Sequence, residues 1–356
     1  MRAAITGLGM ISSVGNGAAA SCAAIRAGIS RPGPLPITVL DRDGLDAIQV
    51  TGHPVPLARG FEGLAVHALL AGHALGDLAR TVGLASLGQD AWERTALLVC
   101  VSRERAEEPS GWDEQLAWAL PRMIPEASGL PLDPARISVS HAGHAGVLIA
   151  VRQAMAALDA RQVDRAIVLG VDSLVGEEDA AWFAAEGRLK LPDQPVGLMP
   201  GQAAGAVLLE PERAGRRPGA PALATIADVA VAPVRPFRAD DLDSDGAAVA
   251  RAILAARGGL PGPFALYADQ NGETWRAREW GMALTRLAGA NAAEDLLVSL
   301  PAFELGDTGA ASGAIAIALA VRSFVRRYAR APRALVCSRS ERDHVAAARI
   351  EPAARR

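Results

Sequence analysis

The stretch Ser138-Val-Ser-His-Ala-Gly-His-Ala-Gly146, with an apolar run over residues 147–158 behind it, constrains this chain more than any other. Ile137 and Val139 suit the end of a buried strand, and Gly143 and Gly146 permit a sharp turn. Val147, Leu148, Ile149, Val151, Met155 and Leu158 then give a helix buried on more than one side. A strand, a tight turn and a helix present one residue at the turn beside helix N–H groups, where a nucleophile would sit. The residue at this turn is Gly143, which has no side chain.

Strand patterns cover residues 2–11, 95–101, 165–171, 199–210, 222–232, 263–268, 295–301, 334–338 and 344–350. Helical patterns cover 17–27, 64–82, 112–124, 177–186, 246–256 and 275–288, and residues 35–56 read as loop with short strands. The alternation predicts buried, mostly parallel sheets. A second glycine-rich turn, residues 304–313, feeds a second apolar helix over 314–325. The two apolar helices are expected to face each other between halves related by pseudo-symmetry. The Pro/Arg/Gly-rich connector 211–221 marks the boundary, dividing the chain into residues 1–215 and 222–356.

The formal charge of −3, from 36 basic and 39 acidic residues, gives no reason to expect nucleic-acid or anionic-membrane binding. Cys22, Cys100 and Cys337 are far apart in apolar or mixed segments, without metal or disulfide spacing, and read as buried thiols in a reducing compartment. The first residues already carry a strand pattern rather than a signal peptide. The apolar stretch 309–321 falls short of the roughly 20 residues that span a bilayer. A soluble, cytoplasmic protein without cofactor or metal is expected.

Four segments, in order, resemble the β-ketoacyl synthases. Arg2-Ala-Ala-Ile-Thr-Gly-Leu-Gly-Met-Ile-Ser-Ser-Val-Gly15 resembles their opening strand, and Val139-Ser-His-Ala-Gly-His-Ala-Gly146 their nucleophile turn. Pro200-Gly-Gln-Ala-Ala-Gly-Ala-Val-Leu-Leu-Glu210 is similar to their Gly-Glu-Gly-Ala-Gly strand, and Gly306-Asp-Thr-Gly-Ala-Ala-Ser-Gly-Ala314 to their Gly-His-Thr turn and helix. The resemblance implies an α/β protein with the thiolase-like fold, a five-layer αβαβα sandwich of two pseudo-symmetric halves that usually dimerises. It also implies an acyltransferase of fatty acid or polyketide biosynthesis, acting on substrates carried by an acyl carrier protein.

The chemistry that goes with the resemblance is missing. The family uses a thiolate to take an acyl group, and two histidines to assist decarboxylation and hold the oxyanion. Gly143 stands at the position of the cysteine, and Asn271 and Asp307 at those of the histidines. Ala302 replaces a lysine, the turn at Gln202 lacks its glutamate, and the glycine-rich C-terminal loop becomes the charged run Ser338-Arg-Ser-Glu-Arg-Asp343. The region after Val101 looks trimmed where dimer and acyl-pocket elements normally lie. A carboxylate at 307 would repel an oxyanion unless protonated.

What could remain is an altered site of Ser140, His141, His144 and Asp307. His141 and His144, at i and i+3, read either as backbone-bonded turn residues or as a metal or general-base pair; no further ligands are identifiable, which favours the former. Asp307 could pair with one of them across the centre and raise its pKa. Ser140 with His144 as base would make a nucleophile, without a Gly-x-Ser-x-Gly elbow to support it. The polar cluster Asp269, Asn271, Glu273, Arg276 and Glu279 either refills the old site or sits at the surface, where Arg276 and Glu279 would form an ion pair. Trp275 and Trp280 read as core anchors, and residues 103–108 as a solvated face. The expected function is a non-catalytic partner or scaffold, as a homodimer or a heterodimer with a condensing enzyme. One alternative is an enzyme of altered acyl-transfer or thioester-hydrolysis chemistry; another is an interaction module of a larger machine.

Overall fold

The structure is a computed structural model that describes residues 2–41, 44, 46–84, 87–102, 111–212, 220–236 and 244–354. The charged residues 103–108 and most of the connector 211–221 lie outside the described residues. In chain order the first part contains β1 (Ala3–Ser12), β2 (Gly15–Asn16), α1 (Ala18–Arg26), β3 (Gly33–Leu40), β4 (Ala47–Gly52), α2 (Gly63–Val82) and α3 (Gln89–Glu93). It continues through β5 (Thr95–Cys100), α4 (Trp112–Ser128), β6 (Ile137–Ser140), α5 (Gly146–Asp159), β7 (Arg165–Ser173), α6 (Glu177–Ala185) and β8 (Gln202–Pro211). Then follow β9 (Ala224–Pro233), α7 (Ala247–Arg257), β10 (Phe264–Ala268), α8 (Thr274–Gly289), β11 (Leu296–Ser299), α9 (Ala302–Leu305), α10 (Ser312–Val325), β12 (Arg333–Arg339) and β13 (His344–Pro352).

The large sheet runs β11-β10-β12-β13-β9-β1-β8-β7-β5-β6. Numbered within its own half, each set of five strands takes the same order, 3-2-4-5-1, and the halves join where β1 pairs antiparallel with β9. The sheet is not mostly parallel: only β5–β6, β5–β7, β10–β11 and β10–β12 are parallel pairs among the described residues. Those strands are linked by the helices α4, α5, α8 and α10, as parallel neighbours require. A four-residue turn, 340–343, joins β12 to β13 and can only produce an antiparallel pair. After β7 the chain leaves the sheet, packs α6 on β3, and re-enters antiparallel as β8.

Burial sorts these elements into five layers. α2 and α4 cover the outer face of the first half-sheet through Leu70, Leu78, Leu116 and Leu120. α7 and α8 cover the outer face of the second through Val249, Ile253, Ala283 and Leu287. α1, α5 and α10 fill the space between the half-sheets. Strands β1, β7 and β8 are buried on both faces because helices cover both. Gly9 is required where α2 presses on β1: a Cβ there would lie 2.0 Å from the Ala74 carbonyl oxygen.

The central helices repeat one another closely. α5 and α10 each have 14 residues and follow 3-10 turns, Gly143–Ala145 and Gly309–Ala311, whose leading glycines have φ of 56° and 51°. Each helix stops at an arginine in the left-handed region, Arg161 (φ 53°) and Arg327 (φ 59°). The spacing is constant, since 309 − 143 and 327 − 161 both equal 166. The helices pack together so closely that a Cβ on Gly313 would lie 3.0 Å from Val147 Cβ. They face each other at the centre, as their matched apolar runs predicted.

Candidate functional site

The two glycine turns meet at the centre of the sandwich, and each is held by a side chain of the opposite half, Ser340 or Asp172. At the first turn the Gly143 N–H donates to the Val101 carbonyl at 3.2 Å. The Ala145 N–H donates to Ser340 Oγ at 3.0 Å, and the Ser340 hydroxyl donates to the Ala142 carbonyl. At the second turn the Gly309 N–H donates to Asp307 Oδ1 at 2.9 Å and the Ala310 N–H to Asp172 Oδ2 at 2.8 Å. Asp172 also accepts from the Ser102 hydroxyl and lies 3.9 Å from His67 Nε2. These N–H groups are the ones a helix N-terminus would offer to an anion or an oxyanion. Here the chain's own oxygens take them.

Between the turns lies a buried ion network. His144 Nε2 is 2.7 Å from Asp307 Oδ1, and Asn271 Nδ2 donates to Asp307 Oδ2 at 2.6 Å. Asn271 Nδ2 also reaches Glu273 Oε2 at 2.8 Å. Arg276, only 1 % exposed, places one guanidinium nitrogen 3.4 and 3.5 Å from the two ring nitrogens of His144, so its charge lies against the imidazole. It pairs with Asp269 at 3.5 Å and donates to the Arg339 carbonyl at 3.1 Å. Arg188 grips Glu273 bidentately, at 2.6 and 3.0 Å, and reaches Glu341 at 2.6 Å. Arg339 pairs with Glu279 at 3.0 Å. Four cationic side chains thus interlock with five carboxylates, leaving few uncompensated charges to attract a ligand.

The protonation states follow from this geometry. Burial works against a charged Asp307, but His144, Arg276 and the Asn271 hydrogen bond outweigh it and hold the carboxyl well below its ordinary range. Burial also works against a charged His144, and Arg276 adds to that; Asp307 and Asp269 win, and the histidine is raised above its ordinary value. Burial opposes the charges of Arg276 and Arg188 too, and their carboxylate partners raise both nonetheless. Glu341 resists the effect of burial through Arg188 and is lowered to about 2. A histidine that holds its proton more tightly than a free imidazole is less available as a general base, and an ionised Asp307 opposes the negative charge of an acyl-transfer transition state.

Of the sequence-predicted residues, the structure brings Asn271, Asp307 and His144 into direct contact and sets Gly143 next to them. It does not assemble Ser140 or His141 with them. His144 Nε2 faces Asp307 rather than Ser140, and His141 lies 3.3 Å from Asp113 on α4. His144 is therefore bonded to a side chain, not to backbone. Arg276 and Glu279 are not a surface pair: both are buried and take separate partners, because α8 turns that face inward. Trp275 is buried beneath the guanidiniums of Arg276 and Arg339, at 4.6 and 4.7 Å. Cys100 packs beside Gly146, but burial pushes its thiol up to about 12, far from a working thiolate. Sequence reasoning missed Arg188, Arg339, Ser340 and Glu341 as site residues. The available signal was the charged run 338–343, whose charges complement the cluster 269–279.

Ala302 and Asp307, together with His144, Asp269, Ser312 and Ser338, line a cavity of ≈ 20 Å³. That volume admits a single water molecule and no acyl chain. Among the described residues no group of histidine, cysteine and carboxylate side chains could hold a metal ion, and no helix is long and apolar enough to cross a membrane.

No family model and no curated protein matches the sequence. Solved structures match the fold along its whole length. A chain from a type II polyketide synthase complex of an acyl-carrier protein with its ketosynthase aligns over 99 % of both chains, with a TM-score of 0.78 and 15 % identity. The ishigamide ketosynthase/chain length factor aligns over 99 % of this chain and 100 % of its own, with a TM-score of 0.65 and 21 % identity. The module 6 ketosynthase of the bacillaene synthase from Bacillus subtilis 168 covers 100 % of this chain and 73 % of its own, with a TM-score of 0.71 and 14 % identity. The chain has the thiolase-like fold of the ketosynthases.

Proposed function

We propose that this chain is a ketosynthase-like protein without Cys-His-His chemistry that serves as a non-catalytic partner or scaffold beside a condensing enzyme. The observation that carries the reading is the filled site. Gly143 offers no nucleophile, the turn N–H groups have intramolecular acceptors, and the His144–Asp307–Arg276 cluster occupies the space where an acyl group would react. On this reading Gly143, Asn271 and Asp307 stand at the family's Cys, His and His positions, and the halves are residues 1–215 and 222–356. The repeated 3-2-4-5-1 strand order supports that division.

A partner has a place to bind. Among the described residues β6 ends the sheet with one edge unpaired in the strand order, and α4 beside it carries Trp118 at 65 % exposure. An open edge next to an exposed aromatic suits edge pairing with a second subunit, identical or catalytic. The matched ketosynthase solved with its acyl-carrier protein makes a carrier a further partner to test. The plainer reading, an interaction module that binds no acyl group, is supported by the small volume of the cavity at His144 and Asp307, ≈ 20 Å³.

Intact-mass analysis after incubation with acyl- and malonyl-loaded carrier protein tests the proposal, with release of carbon dioxide followed in parallel. An unmodified protein and no carbon dioxide is the expected result. An acyl adduct or catalytic release of carbon dioxide would overturn it and return attention to Ser140, His144 and Asp307.

A further inference from the structure

The far ends of α1 and α10 carry a second feature, away from the filled site. The two helices pack together, and Arg26 in the last turn of α1 lies 4.0 Å above the ring of Tyr328, just past the end of α10. The charges of Arg26 and Arg322 act on Tyr328, and that of Arg330 acts on nearby Tyr267. Arg326, Arg327 and Arg330 are exposed, and so are Ile29 and Val325, at 44 % and 40 %, at the same two helix ends. Residues 308–338 contain five arginines, and residues 17–40 a further two, without a single acidic residue. The molecule as a whole carries −3.

Arginines in the last turn of a helix ordinarily answer its dipole. Arg26 and Arg322 suffice for that, whereas Arg326, Arg327 and Arg330 lie beyond the last turn. Arg327 occupies the left-handed stop, where glycine or asparagine is favoured and another residue costs about 1 kcal/mol. The equivalent end of α5 is an internal control. There Asp164 stands 166 residues before Arg330 (330 − 164 = 166), and it neutralises Arg94 at 2.8 Å. Among the described residues the first half pairs its charge at this point, and no ion pair forms at Arg326, Arg327 or Arg330 in the second.

We infer that the cluster Arg26, Arg322, Arg326, Arg327 and Arg330 around Tyr328 is a docking surface for an acidic, amphipathic helix of a partner protein. The guanidiniums match carboxylates, while Tyr328, Ile29 and Val325 supply apolar contact. A compact cluster on a net-negative molecule fits such a helix better than a nucleic-acid backbone, which calls for an extended basic stripe. The surface stands independently of whether the central site is catalytic.

The test is fluorescence anisotropy with a labelled synthetic amphipathic helix of glutamate, leucine and alanine. The variant Arg326→Gln/Arg327→Gly/Arg330→Gln should bind it at least about tenfold more weakly than the wild type, equivalent to about 1.4 kcal/mol. Its helix stop is retained by the glycine, which relieves the left-handed strain, so thermal unfolding should stay at or slightly above the wild-type value. The control Arg80→Gln/Arg136→Gln/Arg278→Gln, with the same charge change elsewhere on the surface, should bind as the wild type does. Absence of wild-type binding, equal loss in both variants, or tighter binding of a single-stranded oligonucleotide or of phosphatidylserine vesicles would overturn the inference.

Discussion

Replacing Asp307 by alanine is the most direct probe of the central network. It removes the oxygens that hold His144 at 2.7 Å, Asn271 at 2.6 Å and the Gly309 N–H at 2.9 Å. What remains is a buried imidazole beside the guanidinium of Arg276. Breaking a buried ion pair from one side costs about 3–5 kcal/mol. His144 can release its proton, which lightens the loss, while the orphaned Gly309 N–H adds to it, so about 4 kcal/mol is a fair centre. An unfolding entropy of about 2.1 cal/mol/K per residue, over 356 residues, gives about 0.75 kcal/mol/K and a fall in Tm of about 5 °C. The assay is thermal unfolding by calorimetry, with Asp307→Asn, which keeps an acceptor oxygen, losing less.

The pH dependence gives the sharper check. His144 is raised in the fold, so its contribution is complete below its ordinary value near 6.5 and disappears as pH rises through the raised one. Asp307 is lowered, so its contribution is complete above its ordinary value of 3.8 and is lost as pH falls below it. The gap between wild type and Asp307→Ala is therefore widest near pH ~5–6 and narrows on either side. A fall in Tm under about 1 °C, or a gap that widens toward alkaline pH, would refute the ion-pair account.

The paired glycines should behave differently. Gly309→Ala places a Cβ 2.0 Å from Asp172 Oδ2 at a left-handed φ, and should lower Tm far more than Gly143→Ala, whose Cβ meets nothing closer than Ser340 Oγ at 3.6 Å. The latter should cost only the left-handed strain of about 1–2 kcal/mol, measurable in urea. Gly143→Cys introduces a thiol but neither a free turn N–H nor a histidine at 271 or 307, so malonyl-thioester decarboxylation should stay at the wild-type level in a carbon dioxide release assay. The native thiols should be inert near pH ~8, because burial pushes Cys22 and Cys100 up to about 12 and Cys337 well above its ordinary value. Labelling by a thiol reagent should appear only on unfolding, at all three positions.

Much of the fold was legible in the chain because its signals are local. The strand and helix patterns repeat the periodicity of their own side chains, and the two central helices announce themselves by apolar runs wider than one face. Gly143 and Gly309 were readable as turns because only glycine adopts that backbone without strain. The vacancy at 143 and the carboxylate at 307 were visible for the same reason: each belongs to a short motif read in place. Strand direction was not legible in this way. Whether β8 enters parallel or antiparallel to β7 depends on where α6 packs, which lies outside the strand's own sequence.

The central network was settled only by the tertiary structure. Arg188 follows α6, Glu273 and Arg276 lie at the start of α8, and Arg339 and Glu341 come from the C-terminal turn, up to 153 residues apart in the case of Arg188 and Glu341. Nothing in the spacing of Arg276 and Glu279 separates a surface pair from two buried charges; the rotation of α8 against the sheet decides it. The sequence by itself determined which side chains stand at the two glycine turns, since a side chain that is absent cannot be supplied by folding. Folding determined how those side chains are paired, because the energy of a buried charge depends on partners that only packing brings within 3–4 Å.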